Sequence, residues 1–248
     1  MKVLEATIEV TETTRLHSWH LEHVAHSERW LPTMLSVIAG MVDLIGFLSL
    51  GIFTAHITGN IVVIGALVVR HNRVNPAQIL AIPVFILAVA GTWLLARASG
   101  RSGPGLLRLL LLVQFLLLTC VLIFSVSTKP SANPDGLIGC IAAMMAVSAM
   151  ACHFALLRLG LPVAPSTAVM TGNLTNAVLS FLDTTSRTQR LTAGHTARSN
   201  ASLHLLVGFF GGYVVAAAAV TYLGDWAWSL PAVLAGVPVA VRMSAENL

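Results

Sequence analysis

Residues Leu106 to Val126 read LLRLLLLVQFLLLTCVLIFSV, and the interior of this stretch is interrupted only by Gln114 and Thr119. As a helix rising ~1.5 Å per residue it measures about 31 Å, the thickness of a bilayer hydrocarbon core. Seven further apolar segments flank it: Leu31 to Leu50, Thr54 to Val69, Ile79 to Ala96, Leu137 to Leu157, Pro165 to Leu182, Leu203 to Leu223 and Trp226 to Val241. The second, sixth and eighth segments of the series are the weakest, being short or broken by Thr, Asn and Pro, so six, seven or eight crossings fit the pattern. The fold class that follows is an all-α polytopic integral membrane protein.

Composition agrees. Of 248 residues, 56% are hydrophobic and 10% charged, and mean hydropathy is +0.83. Soluble domains carry about 25% charged residues, so a soluble globule is excluded and the bilayer is the first partner. The net charge of +4 gathers into no basic run or stripe, which excludes a nucleic-acid surface. The first thirty residues carry Glu5, Glu9, Glu12, Glu22 and Glu28, a pattern that predicts no cleavable signal peptide. Cys120, Cys140 and Cys152 lie in apolar stretches without metal-ligand spacing and read as membrane-buried thiols.

If all eight segments cross, Lys2, Arg15, Arg29, Arg70, Arg73, Lys129, Arg187, Arg190, Arg198 and Arg242 share one side, with Arg97, Arg101, Arg108 and Arg158 opposite. The positive-inside rule then places both termini in the cytoplasm of a bacterial inner membrane.

The octapeptide Thr54-Ala-His-Ile-Thr-Gly-Asn-Ile61 returns as Thr167-Ala-Val-Met-Thr-Gly-Asn-Leu174. The spacing predicts two similar halves, residues 31–127 and 137–242, after an N-terminal arm of residues 1–30. Four crossings per half make the halves parallel and three make them inverted; the eight-segment reading favours four. In helices, Thr54 and Thr58 share a face, as do Thr167 and Thr171, beside Gly59 and Gly172 where a neighbouring backbone can approach. Asn60 and Asn173 carry donors and acceptors that lipid cannot satisfy, so each must meet protein, water or a ligand. Both readings stand from sequence: helix-packing devices, or the lining of a solute or ion path.

Asp43 is the one carboxylate well inside a predicted span, where a charge costs at least about 2.5 to 3.5 kcal/mol. Gly40 and Gly46, three residues to either side, offer it a face that packs against another helix. It is the leading candidate for a proton or cation site, with buried structural pairing as the other reading. His56 and His153 are the intramembrane histidines, and a relay of Asp43, His56 and His153 suits proton coupling. In the arm, His17, His20, His23 and His26 recur at three-residue spacing. His17, His20 and His23 form a candidate metal site beside the plainer reading of an interfacial amphipathic helix anchored by Trp19 and Trp30. No pattern predicts a cofactor, and the absence of G-x-S-x-G, H-E-x-x-H or a phosphate-binding glycine loop argues against an enzyme.

Gly40-Met-Val-Asp43, the F-x-x-x-x-T-G-N of Phe53 to Asn60 and the T-x-x-x-T-G-N of Thr167 to Asn173 together resemble the bacterial YoaK-like family, domain of unknown function 1275, from about residue 33 to about residue 240. The resemblance implies an inner-membrane protein of six or more helices, without an established activity and often suspected of transport. Family members carry G-x-Q-N in the fifth segment, where this chain has Ala151-Cys152-His153-Phe154 ahead of Arg158; of those four only His153 keeps a strong hydrogen-bonding side chain. The function expected is a small-solute transporter or permease, with proton coupling through Asp43 as one form of it. Its binding residues are Asp43, His56, Thr58, Asn60, His153, Thr171 and Asn173, and its substrate is a small molecule or ion. The alternative is a non-transporting membrane scaffold or sensor that uses the His-rich arm.

Overall fold

A computed structural model describes residues 30–161, 166–185 and 193–244. The N-terminal arm, with His17, His20 and His23, lies outside the described residues. The rest is helical: α1 (Trp30–Leu50), α2 (Ile57–Val69), α3 (Pro76–Ala98), α4 (Gly103–Thr128), α5 (Leu137–Gly160), α6 (Met170–Thr185), α7 (Ala193–Leu223) and α8 (Ser229–Ser244), with short 3-10 turns at Pro130–Ala132 and Gly224–Trp228. Among the described residues no strand occurs. Helices α1, α3, α4 and α5 are each long and apolar enough to cross a bilayer. So is the stretch Ala201–Arg242, which holds α7, the second 3-10 turn and α8.

Local chemistry sets the ends. Gly51, at φ +71°, stops α1. Asn75 caps α3 by accepting from the Ala77 N–H at 2.8 Å, with Pro76 ideal as the first helical residue. Lys129 closes α4 in the left-handed conformation at φ 49°.

The course of the chain follows from contacts between helix ends. Asn75 Nδ2 donates to the Leu50 carbonyl and Gln78 Nε2 to that of Gly51, so α3 starts where α1 stops. Between them, the backbone N–H groups of Thr54, Ala55 and His56 bond to Asp43, seven residues inside α1. The chain thus turns back at Gly51 and descends along α1 as an extended limb before α2 begins. Had α2 continued onward, its 13 residues would end ~20 Å past Asp43 and about 30 Å from Leu50. The link from Arg70 to Asn75 reaches roughly 20 Å at most. Helix α2 therefore leads back toward the end from which the limb came. It is re-entrant, and the segment Thr54 to Val69 does not cross. This corrects the eight-crossing reading, which hydropathy allowed because it measures composition and not direction.

Helix α4 then runs to the Leu50 end, and α5 returns beside it: Gly160 at the end of α5 meets Leu107 at the start of α4, and Gln114 bonds His153. Helix α7 runs parallel to α1, pairing Gly208 with Thr33, Leu205 with Ser36 and Gly212 with Val37. It therefore starts at the Trp30 end, where α5 finished, so α6 makes no net crossing either. The turn after α7 meets the turn after α4 through Ser131 Oγ, which donates to Asp225 at 2.8 Å. Helix α8 returns along α4 until the Arg108 guanidinium donates to the Arg242 carbonyl.

Among the described residues, six helices therefore run the length of the bundle: α1, α3, α4, α5, α7 and α8. Arg242 consequently lies with Arg108 and not opposite it, a second correction to the eight-crossing reading. Among the described residues, Arg97, Arg101, Arg108, Arg158, Arg198 and Arg242 belong to the Trp30 end, and Arg70, Arg73 and Lys129 to the Leu50 end. A direct check uses impermeant maleimide on a cysteine-free background. Ser102→Cys and a reporter fused after Leu248 should be reached from one side and Asn72→Cys from the other; the eight-crossing path puts the reporter with Asn72→Cys.

The core runs through the bundle, with α1 and α5 contributing most of its fully buried residues, among them Leu35, Ile38, Val42, Ile45, Val147, Met150 and Leu156. The outer faces of α2, α3 and α7 expose Val62, Leu87 and Val214, as lipid-facing helices do.

Candidate functional site

Two buried polar centres lie at mirrored depths, each seven residues from the end of a core helix but from opposite ends of the bundle: Asp43 before Leu50 in α1, and His153 before Gly160 in α5. At both, a descending segment that contains a T-A-x-x-T-G-N copy touches the helix.

In the first centre, Asp43 is fully buried and its carboxyl group accepts from five donors. Oδ1 takes the N–H groups of Thr54, Ala55 and His56 at 2.9, 2.7 and 3.2 Å. Oδ2 takes His56 Nδ1 at 2.6 Å and the Tyr213 hydroxyl at 2.7 Å. Three consecutive amides converging on one oxygen form an anion-binding concavity of the kind found where backbone is unwound at membrane depth. Gly46 makes the approach possible, since a Cβ there would stand 2.6 Å from Thr54 Cγ2. Gly40 serves a different contact: its Cβ would strike the Phe209 carbonyl of α7. Tyr213 and Phe209, the latter edge-on to the His56 ring at 5.5 Å, tie this hairpin to α7. The His56 side chain is 35% exposed, so one part of the Asp43 network reaches the surface of the protein.

Asn60, one turn into α2, is buried. It returns to the limb with two bonds, accepting the Phe53 N–H at 2.9 Å and donating to the Phe53 carbonyl at 2.8 Å. A side chain that pairs with both groups of one residue replaces a missing strand neighbour and satisfies backbone that lipid could not.

The second centre is built on the same plan with different chemistry. Asn173 donates to the Ser166 carbonyl at 2.9 Å, again seven residues back. His153, also fully buried, stands where Asp43 stands in α1. Its Nδ1 is 2.9 Å from Gln114 Nε2 and its Nε2 is 3.3 Å from Thr167 Oγ1. Gln114 and Thr167 are both 1% exposed. The Gln114 carboxamide oxygen is buried and accepts no hydrogen bond.

Asp43 and His56 therefore meet directly, whereas His153 is bonded within its own centre. Asn60 and Asn173 are each committed to a backbone staple. Thr58 and Thr171 are exposed, because two residues along a helix is a turn of about 200° and the asparagines face inward. Tyr213, Gln114 and Thr167 were not singled out from sequence as site residues. A signal existed for two of them: Gln114 and Thr119 are the polar residues between Leu109 and Phe124 of the most apolar span, and Tyr213 follows a glycine pair in α7. Among the described residues no group of three His, Cys, Asp or Glu side chains is arranged to hold a metal ion.

The sequence model of a family described as "Protein of unknown function (DUF1275)" matches residues 31–241. No curated protein and no solved structure matches the chain.

Proposed function

We propose, for a chain that belongs to the DUF1275 family and takes no assigned activity from it, that it is a small-solute permease of the bacterial inner membrane. The observation that carries this reading is the pair of re-entrant segments. One leaves and rejoins the Leu50 end and the other the Trp30 end, and each brings unwound backbone and polar side chains to mid-bundle depth. Non-helical backbone at that depth is tolerated where it is buried in protein or lines a cavity, and such broken segments form the central sites of transporters.

Residues 31–127 and 137–242 read as the two halves. With three passes each they are inverted rather than parallel: α1 and α5, the re-entrant α2 and α6, α3 and α7, α4 and α8 correspond in order and run in opposite senses. The corresponding asparagine bonds support this pairing. So do the matched helix contacts, α3 against α5 and α7 against α1. The six described arginines at the Trp30 end against three basic residues at the other favour an orientation with both termini cytoplasmic. The reading assigns no chemical transformation to the protein. Proton coupling is its finer form, with the partly exposed His56 as the titratable group between Asp43 and the surroundings.

A second reading, a non-transporting scaffold or sensor, draws on one observation: Asp43, Asn60 and Asn173 are all committed to internal bonds. Vesicles reconstituted with purified protein separate the two. A permease raises the flux of at least one member of a panel of polyols, amides, amines, carboxylates and monovalent ions above that of protein-free vesicles. Folded, monodisperse protein that raises none would leave the scaffold.

A further inference from the structure

The two centres occupy equivalent places but differ in what they have left to offer, although the buried Thr54 hydroxyl beside Asp43 also lacks a partner. Around Asp43 each acceptor position is taken, by three backbone amides, an imidazole and a phenol. A solute could bind there only by displacing one of them. The centre around His153 has capacity to spare. If Gln114 Nε2 donates to His153 Nδ1, then His153 Nε2–H donates to Thr167 Oγ1. That leaves the Gln114 carbonyl oxygen as a free acceptor and the Thr167 hydroxyl proton as a free donor. With the amide and the imidazole tautomer both reversed, the Gln114 oxygen accepts, the Thr167 hydroxyl donates to His153, and a Gln114 N–H becomes the free donor beside the Thr167 lone pairs. Either way, one donor and one acceptor remain in a dry place, on the two sides of the His153 ring.

A buried amide oxygen left unpaired can accept a hydrogen bond from a bound solute at no cost to the protein's own bonds. Among the described residues, no carboxylate, guanidinium or ammonium bonds to Gln114, His153 or Thr167, so a charged solute would lose its hydration there with no countercharge to replace it. A small solute with more than one hydroxyl or amide group can supply what each open position lacks.

We propose that Gln114, His153 and Thr167 form the solute-recognition point of the permease, and that it takes a small uncharged solute carrying a hydroxyl or amide group while rejecting ions. This rests on the permease reading, and the test is arranged to tell the two failures apart. Vesicles holding the full chain are subjected to osmotic steps of glycerol and of urea, followed by light scattering. Methylammonium and formate fluxes are followed in the same vesicles by an internal pH dye. Glycerol or urea permeability should exceed that of protein-free vesicles several-fold, with the ions unaffected. Gln114→Met and Thr167→Val should each lower it about tenfold, the loss expected for one hydrogen bond, while both variants elute as wild type does and lose no more thermal stability than one buried hydrogen bond accounts for. Thr167→Val preserves side-chain shape and carries the test if Gln114→Met does not fold. Ion flux without glycerol or urea flux overturns the proposal and leaves the permease standing, as does neutral flux that both variants retain. No flux of any probe removes both.

Discussion

Asp43→Ala is expected to lower stability by about 3–5 kcal/mol, since it removes five hydrogen bonds worth roughly 0.6–1 kcal/mol each in a membrane protein. The loss is not confined to the carboxylate. Thr54, Ala55 and His56 would keep three N–H groups at membrane depth without an acceptor, and the Tyr213 hydroxyl would face an apolar gap. Thermal unfolding in detergent measures the effect, and a companion pair gives it resolution. Asp43→Asn keeps one oxygen for the three amides but offers an NH2 where Tyr213 and His56 donate, so a smaller loss of about 1–2 kcal/mol is expected. Tyr213→Phe removes a single bond and should cost about 1 kcal/mol. An Asp43→Ala protein that unfolds with the wild type would mean that the hairpin is held by packing alone. The carboxylate would then be free for another role.

The second large effect is at Asn60. Asn60→Leu keeps the branching of the side chain but removes both bonds to Phe53 and leaves that residue's N–H and C=O unpaired, a loss of about 2–3 kcal/mol. Asn173→Leu breaks one such bond, to the Ser166 carbonyl, and is expected to cost about half as much. The ordering of the two unfolding midpoints is the informative quantity. Equal losses, or a ligand-dependent stabilisation that vanishes in Asn60→Leu at unchanged intrinsic stability, would move these residues from staple to binding site.

How far the sequence spoke depended on what kind of information each feature carries. Leu106 to Val126 was unambiguous because length and apolarity alone make a span. Thr54 to Val69 looked like one for the same reason, yet its direction is set by Asn75 and Gln78 reaching Leu50 and Gly51, contacts that no hydropathy window contains. Asp43 stood out as a lone carboxylate. Its chief partners did not, since backbone amides have no side-chain signature and Tyr213 is 170 residues away. Asn60 and Asn173 visibly needed partners, and what the sequence withheld was that each finds them seven residues back in its own segment. The outward placement of Thr58 and Thr171 was open to deduction, because any helix that buries Asn60 or Asn173 turns the residue two before it away.

The spacing of the Asp43 donors also bears on how the chain is made. Four of the five lie within 13 residues of the carboxylate, whereas Tyr213 is synthesised 170 residues later, roughly 10–30 s at typical elongation rates. A charge that had to wait that long for α7 would be carried into the bilayer unneutralised. The limb that follows α1 offers its amides and His56 almost as soon as the helix has left the ribosome. The nascent hairpin can thus enter the membrane with its carboxylate already sheltered, and α7 has only to dock against an element that is settled.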